Sequence, residues 1–185
     1  MVGATYRLID VPTKAEQRED KFRSVNPAGK IPVLMTPEGS TIIESMAILL
    51  ALDERHQSAN LLPASGSLER ATALQWLAFL SASTYPSALR FYYPDRYTTG
   101  TSSEEIAAVK AAAAKALDAD FAILSAALRG PFLLGSTMTI TDVYLAMVAD
   151  WHEPAMELPA IKTLKTAILK NKAVKTAWDN HEYTP

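Results

Sequence analysis

The stretch Asn26-Pro27-Ala28-Gly29-Lys30-Ile31-Pro32-Val33-Leu34-Met35, followed after a turn by Thr41-Ile42-Ile43-Glu44-Ser45, decides the fold. It reads as a loop, a strand, a turn, a second strand and the start of a helix. Asn26-Pro27 and Gly29 are turn formers, whereas Ile31, Val33 and Leu34 favour a pleated, buried run, so Pro32 falls where the loop becomes a strand. Proline has no N–H, so the first position of a strand tolerates it, and Xaa-Pro is the only bond at which a cis peptide is cheap. Pro37-Glu38-Gly39-Ser40 has the composition of a tight turn. It predicts an antiparallel hairpin between residues 31–35 and 41–43.

Ser45 is then expected to cap a helix. Residues 46–52 are all apolar, and the run ends at Asp53-Glu54-Arg55-His56, which predicts a largely buried helix. Its N-terminus faces the loop end of the hairpin. There the helix dipole and the Ser45 hydroxyl favour an anionic group, while the neighbouring Glu44 favours a cationic one. A zwitterionic ligand, such as the end of an amino acid, suits both.

Asn-Pro-Xaa-Gly-Lys-Ile-Pro-Val-Leu over residues 26–34, a turn, and Glu44-Ser45 before an apolar helix together resemble the glutathione-binding half of a glutathione S-transferase. The resemblance implies that Pro32 is cis, where base rates alone would favour trans. It implies that Ile31 pairs its backbone with the cysteinyl part of glutathione and that Glu44 and Ser45 grip the γ-glutamyl end. Lys30 is a further candidate for a carboxylate, beside its simpler reading as a solvated loop lysine. Members of this family carry a strand and a helix before the strand read here at residues 5–11. That element holds the Tyr, Ser or Cys that stabilises the glutathione thiolate, and no residue of this chain matches it. A fragment or mis-started product, a natural short form without catalysis, and a sheet completed by a partner chain are the three readings of that mismatch.

With 185 residues the chain is long enough to bury roughly 70% of its unfolded surface without staples. A net charge of -2 gives no reason to expect a nucleic-acid partner. The sequence has no cysteine, which removes disulfides, thiolate metal sites and a cysteine nucleophile from this chain. The first ten residues show no basic region followed by a long apolar core, and no segment approaches a membrane span. A cytoplasmic protein without membrane contact is expected.

Along the chain, residues 5–11 are rich in strand formers and predict a first strand ended by Pro12. Residues 14–24 read as a short exposed helix or an irregular connection. Residues 57–66 are polar and turn-rich, which predicts a linker between a domain over 1–60 and one over 67–185. In the second part alanine and leucine dominate. Residues 71–80 form a buried helix stretch that Pro86 bends or restarts, and Ser102 with Glu105 forms a capping box ahead of a long helix. That helix carries the stripe Ile106, Val109, Ala113, Leu117, Phe121, Leu124 and Leu128. Thr139 and Asp142 form a second capping box. Gly135, Thr139 and Asp142 match the Gly-Xaa-Xaa-Xaa-Thr-Xaa-Ala-Asp pattern of the same family, with Thr141 in place of Ala, and are assigned to folding. The fold class expected is α/β plus all-α: an incomplete thioredoxin-like N-terminal domain followed by an all-helical C-terminal domain.

In the family, the region around Tyr85, Arg90, Tyr92 and Tyr93 walls the electrophile pocket; packing of a bent helix end accounts for each ring equally well. His56, His152 and His181 lie far apart without ligand spacing, so no metal is expected, and the late lysines read as a solvated face. The resemblance implies a homodimeric glutathione transferase that uses glutathione as co-substrate. The enzyme lowers the thiol pKa, and the thiolate attacks a small hydrophobic electrophile. The alternatives are a non-catalytic binding or assembly module of the same fold, or a chain that folds only as a dimer or swapped assembly.

Overall fold

The computed structural model describes residues 3–11 and 19–180. The chain divides into two compact units, Met1–Leu61 and Leu62–Pro185.

In the first unit, β1 (Val33–Met35) pairs antiparallel with β2 (Thr41–Ile43) in the register Val33 to Ile43, Leu34 to Ile42 and Met35 to Thr41. The turn closes as its composition predicts. Thr36 N–H donates to Ser40 O at 2.8 Å, Gly39 N–H to Thr36 O at 2.9 Å, and Ser40 N–H to the Thr36 hydroxyl at 3.2 Å. Gly39 sits at φ +85°, a conformation that is free of steric cost for glycine. The Glu38 carboxylate meets Arg55 at the far end of α2 (Ser45–Arg55). The Thr36 hydrogen bond, with smaller help from the backbone and from Arg55, holds that carboxyl below its usual range.

Three expectations change here. The first strand of the hairpin begins at Val33, and Ile31 stands outside the ladder with 54% of its surface exposed. Pro32 supplies no N–H, so pairing starts only after it. Residues 5–11 form no strand: Tyr6 is 82% and Leu8 75% exposed, and the run joins no ladder of the sheet. Strand propensity is largely fit to a pleated surface, and without a neighbour it fixes nothing. Helix α2 is half-buried, with Asp53 its one buried residue and Ala47 exposed. A helix that is apolar all round needs cover on every side, and a two-stranded hairpin gives cover to one. The segment before the hairpin contributes only the four-residue helix α1 (Asp20–Arg23), while residues 12–18 lie outside the described residues. The turn-rich stretch 57–66 includes two anchors, Leu61 and Leu62, at 2% and 5% exposure.

The second unit is helical. Ser67 caps α3 (Leu68–Phe79) by accepting from Arg70 N–H at 3.1 Å. The helix passes through a π turn, Leu80–Thr84, into α4 (Tyr85–Tyr92), whose first turn holds Pro86. Proline breaks the i to i−4 ladder, and the widened turn absorbs that break without ending the rod. A 3-10 turn, Pro94–Tyr97, leads toward α5 (Ser103–Ala127). The Ser102–Glu105 capping box forms, and Ala113, Leu117, Phe121 and Leu124 make the buried stripe at three- and four-residue spacing. Helix α6 (Ile140–Ala149) is the core, with Thr141, Asp142, Tyr144, Leu145, Ala146, Val148 and Ala149 buried. Helices α7 (Glu153–Glu157), α8 (Pro159–Ile168) and α9 (Lys172–Asn180) follow, and α8 contributes Ile161, Leu164 and Ile168 to the interior. Among the described residues, the buried hydrophobic side chains all belong to this unit except Leu61.

Candidate functional site

The open end of the hairpin gathers the residues singled out at Ile31, Pro32, Glu44 and Ser45. The ladder ends at Val33 opposite Ile43, so Ile31 and Pro32, which precede Val33, and Glu44 and Ser45, which follow Ile43, lie at the same end of the hairpin. The Ile31–Pro32 peptide is cis, as the resemblance implies. Among the described residues, the N–H and C=O of Ile31 enter no hydrogen bond. An exposed main-chain donor and acceptor next to a strand edge can pair with a peptide-like ligand, as an added strand would.

Glu44 occupies the cap position of α2 at φ +68° and ψ 122°, and its side chain makes no capping bond. Ser45 is the first helical residue, so it is not the cap that its residue type suggests. The backbone bends at Glu44 into a region that L-residues rarely adopt, and such conformations concentrate at functional sites. The Glu44 carboxylate and the Ser45 hydroxyl have no hydrogen-bond partner among the described residues. Lys30 is exposed, and its carbonyl accepts from the Asn26 side chain. The ensemble is a main-chain pair, a hydroxyl at a helix start and an uncommitted carboxylate, all at one end of one hairpin. Its chemistry complements a ligand with an amide backbone, an ammonium and a carboxylate.

The four residues Tyr85, Arg90, Tyr92 and Tyr93 divide into two groups. The Tyr85 ring meets Trp151 edge-on at 5.5 Å, and the Tyr92 hydroxyl donates to the Trp151 carbonyl. Burial, with a smaller contribution from Tyr93, raises the Tyr92 phenol above its ordinary value. Arg90 instead lies over Tyr97 at 5.4 Å, and Arg96 lies over Tyr93 at 4.0 Å. Behind the first group sits His152, 4% exposed, stacked on Phe121 at 5.8 Å and bonded through Nε2 to Asp118 at 2.7 Å. Residues 85 and 92 are two helical turns apart and share a face of α4, a relation legible in the spacing. Trp151, His152 and Asp118 gave no such signal, because Trp151 and His152 come from the connection between α6 and α7 and Asp118 from α5.

At the entrance of α6, the Leu133 N–H donates to Asp142 Oδ1 at 2.8 Å, and the Thr139 N–H and hydroxyl donate to Oδ2 at 2.7 and 2.8 Å. Burial pushes the Asp142 carboxyl above its ordinary value, against these hydrogen bonds. The Thr141 hydroxyl donates to the Ala73 carbonyl of α3 at 3.2 Å, and so ties two core helices together. Among the described residues, no group of three or more His, Asp or Glu is placed to hold a metal ion, and no helix is long and apolar enough to cross a membrane.

The family model described as "Glutathione S-transferase, N-terminal domain" matches residues 2–55. A probable elongation factor 1-gamma 1 of Arabidopsis thaliana is 34% identical over 143 residues, covering 73% of this chain and 32% of that protein. The chain thus matches about a third of the length of that relative. The glutathione S-transferase GstA of Escherichia coli O157:H7 is 26% identical over 144 residues, covering 77% of this chain and 67% of that one. A sphingomonad glutathione S-transferase, solved in complex with glutathione, superposes with a TM-score of 0.72 at 30% identity, covering 87% of this chain and 78% of the other.

Proposed function

The chain belongs to the glutathione S-transferase family, and from that premise we propose that the open end of its hairpin binds glutathione and presents the thiol to a small hydrophobic electrophile. What supports the reading is the hairpin ladder, whose last pair, Val33 and Ile43, leaves Ile31–Pro32 and Glu44–Ser45 at the same end of the hairpin, with no hydrogen bond to the Ile31 main chain among the described residues. In this reading the Ile31 N–H and C=O pair with the cysteinyl backbone, and the cis Pro32 shapes that edge. Glu44 takes the γ-glutamyl ammonium, Ser45 at the start of α2 takes its carboxylate, and Lys30 assists with a second carboxylate. The sulfur, as thiolate, forms a bond to the electrophilic carbon while the leaving group departs with its electron pair. Tyr85 and Tyr92 beside Trp151, with Arg90 of the same helix and Tyr93 at its end, are proposed to receive the electrophile. A homodimer in the cytoplasm completes the proposal.

A second reading, a binding or assembly module without catalysis, is favoured by the 34% identity to a protein named as a probable elongation factor 1-gamma. Titration with glutathione beside a conjugation assay with an aryl halide separates the two. Saturable binding with conjugation well above the uncatalysed rate supports the transferase. Binding without conjugation supports the module, and no binding at all sinks the glutathione site itself. Light scattering across a dilution series checks the dimer.

A further inference from the structure

Asn26 is as buried as any described residue of the first unit: it and Leu61 are each 2% exposed. Yet it sits in a loop whose neighbours Pro27, Ala28 and Lys30 are exposed. Its hydrogen-bonding groups are engaged between Phe22, in α1, and Lys30. Its N–H donates to Phe22 O at 2.8 Å, and its C=O accepts from Gly29 N–H at 2.8 Å. Its side-chain oxygen accepts from Ala28 N–H at 3.0 Å, and its side-chain amide donates to the Lys30 carbonyl. The partners fix which end of the amide is which, because an N–H faces the oxygen and a carbonyl faces the nitrogen. The side chain therefore spans the loop and stops at the residue before Ile31.

We propose that Asn26 is a positioning residue for the ligand: by clamping the Lys30 carbonyl, it holds the Ile31 main chain in the orientation that pairs with a peptide backbone. The inference rests on the glutathione reading of the hairpin end. A short exposed segment with an unpaired donor and acceptor samples many orientations, and each must be given up on binding. A buried side chain that closes the loop removes that cost before the ligand arrives. The substitution Asn26→Ala deletes both side-chain bonds. Asn26→Asp keeps the acceptor for Ala28, but sets a carboxylate against the Lys30 carbonyl until it is protonated, when its O–H can donate as the amide does.

The experiment is glutathione titration by calorimetry on the full chain as wild type, Asn26→Ala, Asn26→Asp and Ser45→Ala, well below the unfolding temperature of each. Asn26→Ala is expected to weaken glutathione by about tenfold or more. For Asn26→Asp, the affinity ratio to wild type should narrow at least about threefold between pH about 8 and about 5.5, as the buried acid takes up its proton. Loss of packing alone produces no such recovery. If Asn26→Ala does not fold, Asn26→Asp decides. A ratio that stays flat with pH, or an Asn26→Ala affinity within about twofold of wild type while Ser45→Ala binds more weakly, overturns the role of Asn26 and leaves the site intact. A wild-type chain that takes no glutathione overturns the site and this inference with it.

Discussion

Two helices of this protein begin beside an acid, and the two acids are used in opposite ways. At the entrance of α6, Asp142 is 0% exposed and accepts hydrogen bonds from Leu133 and from both groups of Thr139. At the entrance of α2, Glu44 is exposed at φ +68°, with no hydrogen bond from its carboxylate among the described residues. The first acid satisfies the chain's own backbone and belongs to the unit that holds almost all of the buried hydrophobic side chains. The second satisfies no backbone group among the described residues and lies in the unit whose only buried hydrophobic residue, among those described, is Leu61. A buried donor left unmade costs stability, whereas an exposed acceptor left unmade is available to a ligand. The same residue chemistry supports folding in one place and, in the proposed reading, recognition in the other.

The largest effect should come from Asp142→Ala. It strands the Leu133 and Thr139 N–H groups in the interior, at about 1–3 kcal/mol each, so denaturant unfolding should show a loss of about 3 kcal/mol or more. A loss under about 1 kcal/mol would break the contrast, since Asp142 would then matter no more than a surface acid. The pH dependence sharpens it. Because burial raises the folded pKa of Asp142, the native state holds that proton more tightly than the unfolded chain does. Its contribution to stability is therefore fully present below the unfolded value of about 3.9 and declines as pH rises through the raised folded value. Urea midpoints across that window should fall less steeply in Asp142→Asn than in wild type.

At the other entrance, Glu44→Gln and Ser45→Ala should each weaken glutathione by about tenfold, or about 1.4 kcal/mol of binding. Their unfolding midpoints should move by no more than about 0.5 kcal/mol. An outcome with stability lost and affinity kept would reverse the roles assigned to the two acids. Thr141→Val removes the hydroxyl that reaches Ala73 and should cost about 1 kcal/mol in the same unfolding assay, with glutathione affinity unchanged. The smallest effect is expected from Glu44→Gly, which relieves a left-handed backbone at the expense of a more flexible unfolded chain. A net gain under about 1 kcal/mol relative to Glu44→Gln, which also lacks the carboxylate, would show that the bend at Glu44 costs the fold.

Much of this was legible in local pattern. The turn at Pro37-Glu38-Gly39-Ser40 and the strand formers on either side define the hairpin, and the Ser102–Glu105 spacing closes a capping box. What was illegible has a common cause. Residues 5–11 carry strand formers but join no ladder, and an apolar α2 ends half-buried, because cover comes from other parts of the chain. Tyr85 and Tyr92 turn to Trp151, while Arg90 and Tyr93 meet partners in the turn Pro94–Tyr97, a division set by which neighbours pack against each face of α4. Asn26 reads as an ordinary turn former, since composition says nothing of where a side chain points.

The sequence by itself determined the hairpin and its turn, the capping boxes, the central four residues of the buried stripe of α5 and the family to which the chain belongs. These depend on residues within a few positions of one another, where backbone sterics and hydrogen-bond reach leave few choices. Only the tertiary structure decided which acid is buried and which is free, which strand formers become strands, and which aromatic rings meet. Burial and pairing are properties of the surfaces brought together by the whole chain, and no short segment contains its own neighbours.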